Sequence, residues 1–321
     1  MGYASDPAWA DVPKIPQDDG PDPIVRIMYS DKFKDVMDCF RGVLKLNELS
    51  ERTLKLTLDV IDANPANYTA WAFRRKILDA LNCNLYEELE YTERMALVHP
   101  KNYQIWHHRR EICSMLQDGS QEKTFAARAI EEDAKNYHAW AHRQWAIRTF
   151  NLWDGELAFI EKLLEEDIRN NSAWNQRWFV IKHTTDLSVD VRRQEMAFAW
   201  TKINIAPHNE SPWNYLRGLV RGHEDHFAVE VKANPWNYLR GLVRGHEDHF
   251  AVEVKAKCLA LLADHQECIF PAALLVDLYD HEGTSDSVSA AHELLDKLMN
   301  ETDRVRAAYW QYRKAALKVK H

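Results

Sequence analysis

The chain has 321 residues, of which 46% are hydrophobic and 12 are Trp, and it carries a formal net charge of -8. That balance argues against wholesale binding to a nucleic-acid backbone, so any anion site must be a local cationic cluster set in an acidic protein. The cysteines at 39, 83, 113, 258 and 268 are odd in number and form no Cys-x-x-Cys pair, which fits a reduced, cytoplasmic chain with buried thiols rather than a disulfide framework.

Residues 1–24 are rich in Pro and Asp and read as an extended or disordered lead-in. They hold no apolar core of the kind a signal peptide or membrane span needs. Asp6 stands where a myristoylation signal wants Ser or Thr. From Ser30 the pattern turns helical: Phe33, Val36, Met37 and Phe40 form one apolar stripe. A second helix carries Leu54, Leu56, Leu58 and Ile61, and Asn64-Pro65-Ala66-Asn67 breaks it. Asn67 is placed to cap the next helix, its side-chain oxygen accepting a first-turn N–H.

From Asn67 a unit begins to return. It reads Asn67, Trp71, Arg74; then Asn102, Trp106, Arg109; Asn136, Trp140, Arg143; and Asn170, Trp174, Arg177. A looser copy has Asn209, Trp213 and Arg217. The tryptophans are 35, 34, 34 and 39 residues apart. A fixed period of that size predicts an all-α stack of helical hairpins over residues 25–321. Glu-rich helices such as Tyr86 to Val98 alternate with the Trp-bearing ones. Pro65, Pro100 and Pro207 fall in the turns, where they break no helix interior. The Trp at a fixed position predicts a buried ring whose N–H needs one partner. The Arg three residues later shares its helix face and is expected to pack on, or pair with, a neighbouring repeat.

Residues 212–256 break the rhythm. Pro212 to Ala233 recurs residue for residue as Pro235 to Ala256, only 23 positions on. The step is too short for another hairpin in phase, and each copy holds two glycines that weaken helix. One copy is expected to form a bulging, less ordered excursion. The array resumes near Cys258 and ends with Trp310 and Arg313, giving about seven hairpins.

A stack of this kind sets equivalent positions in a row. The residue before the capping Asn is Lys101, Lys135, Arg169 and His208 in successive units, with Ala66 in the first; the residue after it is Tyr68, Tyr103 and Tyr137 in three of them. This row sits at helix N-termini, whose free N–H groups favour anions. Solvated turn lysines beside packing tyrosines are an equal reading of the same residues. Metal sites are unconvincing: His223 and His226 have no third ligand nearby, and His107 and His108 point to different helix faces.

The stretches from Pro100 to Arg110, Asp133 to Trp145, Glu166 to Arg177 and Pro207 to Ser211 resemble the repeats of the protein prenyltransferase alpha subunit family. Within it they look most like the branch shared by farnesyltransferase and type I geranylgeranyltransferase. The Rab branch usually carries inserted domains for which this chain has no room. The resemblance implies a right-handed α-α superhelix wrapped around a helical-barrel beta subunit. It implies transfer of farnesyl or geranylgeranyl from its diphosphate to the cysteine of a C-terminal CaaX motif. It also implies zinc bound by the beta subunit, magnesium as a further candidate, and a chain inert by itself. Residue by residue, Lys101 matches a lysine that contacts the diphosphate and stabilises its departure. Tyr137, with Asn136 and His138, matches a second tier beside the same pocket. Gln104 matches a residue that bonds the peptide carboxylate, and Tyr103 and Tyr68 match residues lining the peptide end. The competing reading is a tetratricopeptide-like peptide-binding scaffold without enzyme activity. The Trp-to-Arg offset and the Asn-Tyr words differ from the tetratricopeptide Trp-x-x-Leu-Gly pattern.

Overall fold

The computed structural model describes residues 2–221 and 248–319. The excursion expected at 212–256 falls mainly on residues 222–247, outside the described residues. The chain divides into two compact units, residues 1–152 and 153–321. Among the described residues there is helix and no strand.

The first unit holds α1 (Asp31–Leu46), α2 (Glu51–Ala63), α3 (Tyr68–Ala80), α4 (Leu85–Val98), α5 (Tyr103–Leu116), α6 (Glu122–Glu132) and α7 (Tyr137–Phe150). Helices α2 and α3, α4 and α5, and α6 and α7 pair as hairpins, and α5 packs beside both α3 and α7. The helix starts follow the capping residues. Ser30 accepts from the N–H of Phe33, Ser50 from Thr53, and Asn67 from Ala70. Asn47, Gln117 and Asn151 end α1, α5 and α7 in the left-handed conformation that closes a helix C-terminus.

The second unit holds α8 (Glu156–Glu166), α9 (Asn171–Thr184), α10 (Val189–Ile205), α11 (Glu210–Arg221), α12 (Asp248–Asp264), α13 (Ile269–Glu282), α14 (Ser285–Lys297) and α15 (Ala307–Ala316). The same hairpin rule joins α8 to α9 and α10 to α11, while α12 pairs with α13 and α14 with α15.

The recurring Trp is buried from Trp71 to Trp213, and there its ring N–H meets a backbone carbonyl six residues earlier, whereas the buried Trp310 donates to the Asp303 carboxylate at 2.8 Å. Trp71 donates to Pro65 (2.9 Å), Trp106 to Pro100 (3.0 Å), Trp140 to Ala134 (2.9 Å), Trp174 to Ile168 (3.0 Å) and Trp213 to Pro207 (2.8 Å). Each ring thus pins its own entry turn while its six-membered face fills the core. The capping Asn then ties that turn to the next. Asn136 Nδ2 donates to the Pro100 carbonyl at 3.2 Å, and Asn209 Nδ2 to the Ile168 carbonyl at 2.8 Å.

The recurring Arg pairs between repeats, as its helix face suggests. Arg74 forms a bidentate pair with Glu88 on α4 (2.7 and 2.6 Å) and reaches back to the Leu54 carbonyl and Thr57 on α2 (3.2 and 3.0 Å). Arg109 repeats this with Glu122 on α6 (both 2.7 Å), the Leu89 carbonyl (2.7 Å) and Thr92 (3.2 Å). In the second unit Arg177 clasps Glu195 and Glu161, and the Tyr215 hydroxyl donates to Glu195 at 2.6 Å. A bidentate guanidinium–carboxylate pair whose remaining donors are also satisfied is the form in which buried charge is tolerated.

A neutral histidine completes each of the first two networks. His108 Nε2 lies 2.8 Å from Glu88, and His142 Nε2 meets Glu122 at 2.5 Å. Burial lowers the pKa of both imidazoles against the pull of the carboxylates. Burial also pushes the Glu88 and Glu122 carboxyls up, but bonds from His and Arg outweigh it and hold both at about 2.

The lead-in is anchored within the first unit. Trp9 and Val12 are buried, the Arg52 guanidinium sits 4.9 Å over the Trp9 ring, and Arg41 Nε donates to the Ile15 carbonyl at 2.7 Å. It crosses α1 at Gly42, where a Cβ would collide with the Pro13 carbonyl.

Candidate functional site

The entry turns of α5 and α7 converge in the first unit. The α4–α5 turn runs His99-Pro100-Lys101-Asn102 and is closed by the Asn102 N–H on the His99 carbonyl (3.0 Å). Asn102 accepts from the N–H of Gln104 at 2.8 Å and starts α5 with Tyr103. One repeat on, Asn136 is buried and accepts from His138 (2.9 Å) and Ala139 (3.3 Å), so α7 starts with Tyr137. The amide of Asn136 is committed at both ends, with its oxygen capping α7 and its nitrogen on the Pro100 carbonyl. That bond places the start of α7 beside Lys101.

His138 is the joint. Its imidazole is half-buried and lies close to the Lys101 backbone. The Tyr103 ring meets it edge-on at 4.3 Å, the Tyr137 ring at 5.6 Å, and Trp106 lies under it at 6.3 Å with the planes 15° apart. Burial lowers the His138 pKa, the charge of Arg110 lowers it further, and the nearby Lys101 backbone opposes both. A ring neutral at pH 7 follows.

Around this joint the reactive ends point outward. Lys101 is exposed, as are the Tyr103 and Tyr137 rings, at 68% and 70%. An oxyanion arriving at this edge would meet an ammonium and two phenol O–H groups, the first-turn N–H groups of Gln104, His138 and Ala139 being already capped by Asn102 and Asn136. Lys101, Tyr103, Asn136, Tyr137 and His138 are therefore one cluster. Tyr68 starts α3, 70% exposed, and the Gln104 side chain is half-buried. In the second unit Arg169 and His208 are exposed turn residues.

Sequence reasoning passed over Arg110. It is half-buried on α5, within electrostatic reach of both Tyr137 and His138, with its guanidinium 5.5 Å over the Trp145 ring. The signal available was the doublet Arg109-Arg110, which repeats Arg74-Arg75 one unit earlier.

Among the described residues no group of His, Cys, Asp and Glu is arranged to hold a metal ion. His108 is spent inside the Glu88 network, and His223 and His226 lie outside the described residues. No helix of the described residues is long and apolar enough to cross a membrane.

Five segments, residues 50–81, 85–116, 120–150, 153–184 and 192–222, match the protein prenyltransferase alpha subunit repeat. The chain is 38% identical to the protein farnesyltransferase/geranylgeranyltransferase type-1 subunit alpha of Pisum sativum, over 97% of this chain and 93% of that one. It is 37% identical to the protein of the same name from Dictyostelium discoideum, over 97% and 92%. Among solved structures it is similar to Candida albicans protein geranylgeranyltransferase-I complexed with GGPP, with a TM-score of 0.82 and 26% identity, covering 96% of this chain and 98% of the matched chain. The fold is accordingly an α-α superhelix of prenyltransferase alpha-subunit repeats.

Proposed function

The chain belongs to the protein prenyltransferase alpha subunit family, and on that premise we propose that it works as the alpha half of a farnesyltransferase or type I geranylgeranyltransferase heterodimer. The reaction moves an isoprenoid from its diphosphate to the cysteine thiol of a CaaX motif. The setting is the cytoplasm, and the beta subunit chooses between farnesyl and geranylgeranyl. The observation that carries this reading is the cluster at the α5 and α7 entry turns, where Lys101, Tyr103, Tyr137 and a neutral His138 from two repeats meet at one exposed edge.

In this reading the difficulty is the departing diphosphate, which gathers negative charge as the carbon–oxygen bond breaks. Lys101 meets that charge with its ammonium. The Tyr137 phenol donates a hydrogen bond to it, and His138 supports the Lys101 turn from beside its backbone. Donors fixed before the reaction stabilise the charge without having to reorganise. Tyr103, Gln104 and Tyr68 line the side where the peptide lies. Asn136 sets the distance between the two turns.

The zinc that activates the acceptor thiol would be held by the beta subunit. The five thiols of this chain do not suit it: burial pushes Cys39, Cys83, Cys113, Cys258 and Cys268 away from the thiolate form that binds metal. Magnesium likewise finds no carboxylate cluster among the described residues.

The test is coexpression with a zinc-bearing beta subunit, followed by single-turnover prenylation. Lys101→Ala is expected to slow the chemical step more than it weakens binding of the isoprenoid diphosphate. A lowered affinity with an unchanged single-turnover rate would remove Lys101 from the leaving-group role. A chain that stays monomeric with every beta subunit and binds peptides alone would overturn the heterodimer.

A further inference from the structure

Arg75 and Arg110 hold the same position in successive repeats, each directly after an arginine already neutralised by a helix glutamate. The two are used differently. Arg75 Nη1 donates to His108 Nδ1 at 3.2 Å, which leaves the opposite ring nitrogen to donate to Glu88. In the next repeat that bond is not made. His142 Nδ1 is buried without a hydrogen-bond partner, and so is Arg110 Nε. The Arg110 guanidinium instead lies over Trp145, and no carboxylate pairs with it among the described residues. A buried guanidinium Nε and a buried ring nitrogen, both without the kind of bond that Arg75 and His108 make in the preceding repeat, need a reason.

The neighbours supply one. Arg110 lies within electrostatic reach of Tyr137 and His138, the α7 members of the edge cluster. Helix side chains as a rule lean toward the helix N-terminus, and that end of α5 carries Tyr103 and the Lys101 turn. A guanidinium presents its N–H groups as a planar fork that fits two phosphate oxygens at once, which the ammonium of a lysine does not.

We propose that Arg110 is a further phosphate-binding cation of this edge, turned from His142 so that its fork takes a terminal oxygen of the isoprenoid diphosphate beside Lys101. The proposal rests on the prenyltransferase reading and adds a residue to it. Arg110 sets affinity for the diphosphate, and Lys101 meets the charge of departure. The apolar tail of the isoprenoid and the CaaX peptide gain nothing from Arg110.

The experiment uses the heterodimer with the beta subunit, prepared with the wild-type chain, Arg110→Gln and Arg110→Lys. Binding is measured for farnesyl diphosphate, for inorganic pyrophosphate and for farnesol, with peptide KM alongside. Arg110→Gln is expected to weaken both diphosphates about tenfold, or about 1.4 kcal/mol, and to leave farnesol and peptide KM unchanged. Arg110→Lys, which keeps charge but not the fork, is expected to recover part of the loss. Diphosphate affinities within about twofold of wild type in an assembled Arg110→Gln heterodimer overturn the assignment. So does a folded Arg110→Gln chain that no longer assembles, because the missing counter-ion is then a carboxylate of the beta subunit. Should Arg110→Gln fail to fold, Arg110→Lys decides: diphosphate affinity equal to wild type in that heterodimer overturns the assignment. A wild-type chain that assembles with no beta subunit overturns the prenyltransferase reading itself, a result distinct from the others.

Discussion

Within the first unit, the interior and the rim of the same helices treat charge in opposite ways. Inside, Arg74 and Arg109 are each surrounded by a bidentate carboxylate, a backbone carbonyl and a threonine hydroxyl. At the rim, Lys101, Tyr103 and Tyr137 are solvated and leave their donors uncommitted. Both regions come from one recurring word, in which Asn, Trp and Arg build the scaffold and the residues flanking Asn stay exposed to solvent. Side chains that the fold has already satisfied are poor candidates for chemistry. The contrast therefore separates the structural half of the word from the half with donors to spare.

The comparison breaks most sharply in the interior. Arg109→Ala strands Glu122 as a buried, partly compensated charge, and is expected to cost about 3–5 kcal/mol of unfolding free energy in urea titration. The next effect is acid sensitivity. Glu88 and Glu122 are held at about 2 against an ordinary 4.5, so the stability they contribute is present above pH 4.5 and is lost as pH falls toward 2. It is on the order of 3 kcal/mol for each carboxylate. His108 and His142, depressed from 6.5 by burial, resist protonation in the fold, so the decline begins as pH drops below 6.5. Thermal melts from pH 8 to pH 3 should show that early fall, and a flat profile down to pH 4 would contradict it.

Smaller effects sharpen the boundary between the two regions. Trp106→Phe removes the ring N–H from the Pro100 carbonyl, which keeps the Asn136 amide, so a loss of about 1–2 kcal/mol is expected in the same titration. Tyr137→Phe deletes only an exposed hydroxyl. Its unfolding free energy should stay within about 0.5 kcal/mol of wild type, while the heterodimer turns over more slowly. A Tyr137→Phe chain that is destabilised but fully active would move the tyrosine from the rim to the scaffold.

Much of the scaffold was legible because its signals are local. The spacing of Trp71, Trp106, Trp140 and Trp174 gave the hairpin period, and the Asn before each gave the helix start. The ring N–H was expected to need a partner, though not that the partner would be the carbonyl six residues back. The glutamates that neutralise Arg74 and Arg109 were not legible. They lie 14 and 13 residues away on another helix, among many exposed glutamates with the same local signature. The lead-in shows the same limit. Its Pro and Asp content speaks for an extended path, but composition cannot report that Trp9 and Val12 find a buried seat against the first helices. At the rim, residues alone left Lys101 and Tyr103 balanced between solvated turn and anion edge. The bond from Asn136 to the preceding turn, a contact 36 residues long, is what draws Lys101, Tyr137 and His138 into one place. Arg110 escaped notice because Arg75 and Arg110 each directly follow the pairing arginine of their repeat, and the sequence does not tell which way either side chain swings.

The Pro100 carbonyl accepts one hydrogen bond from its own repeat and one from the next. Loosening that turn therefore releases Trp106 and Asn136 together. Neighbouring hairpins of the first unit consequently lose their grip as a block, and their backbone amides should exchange with solvent at a shared rate rather than one repeat at a time.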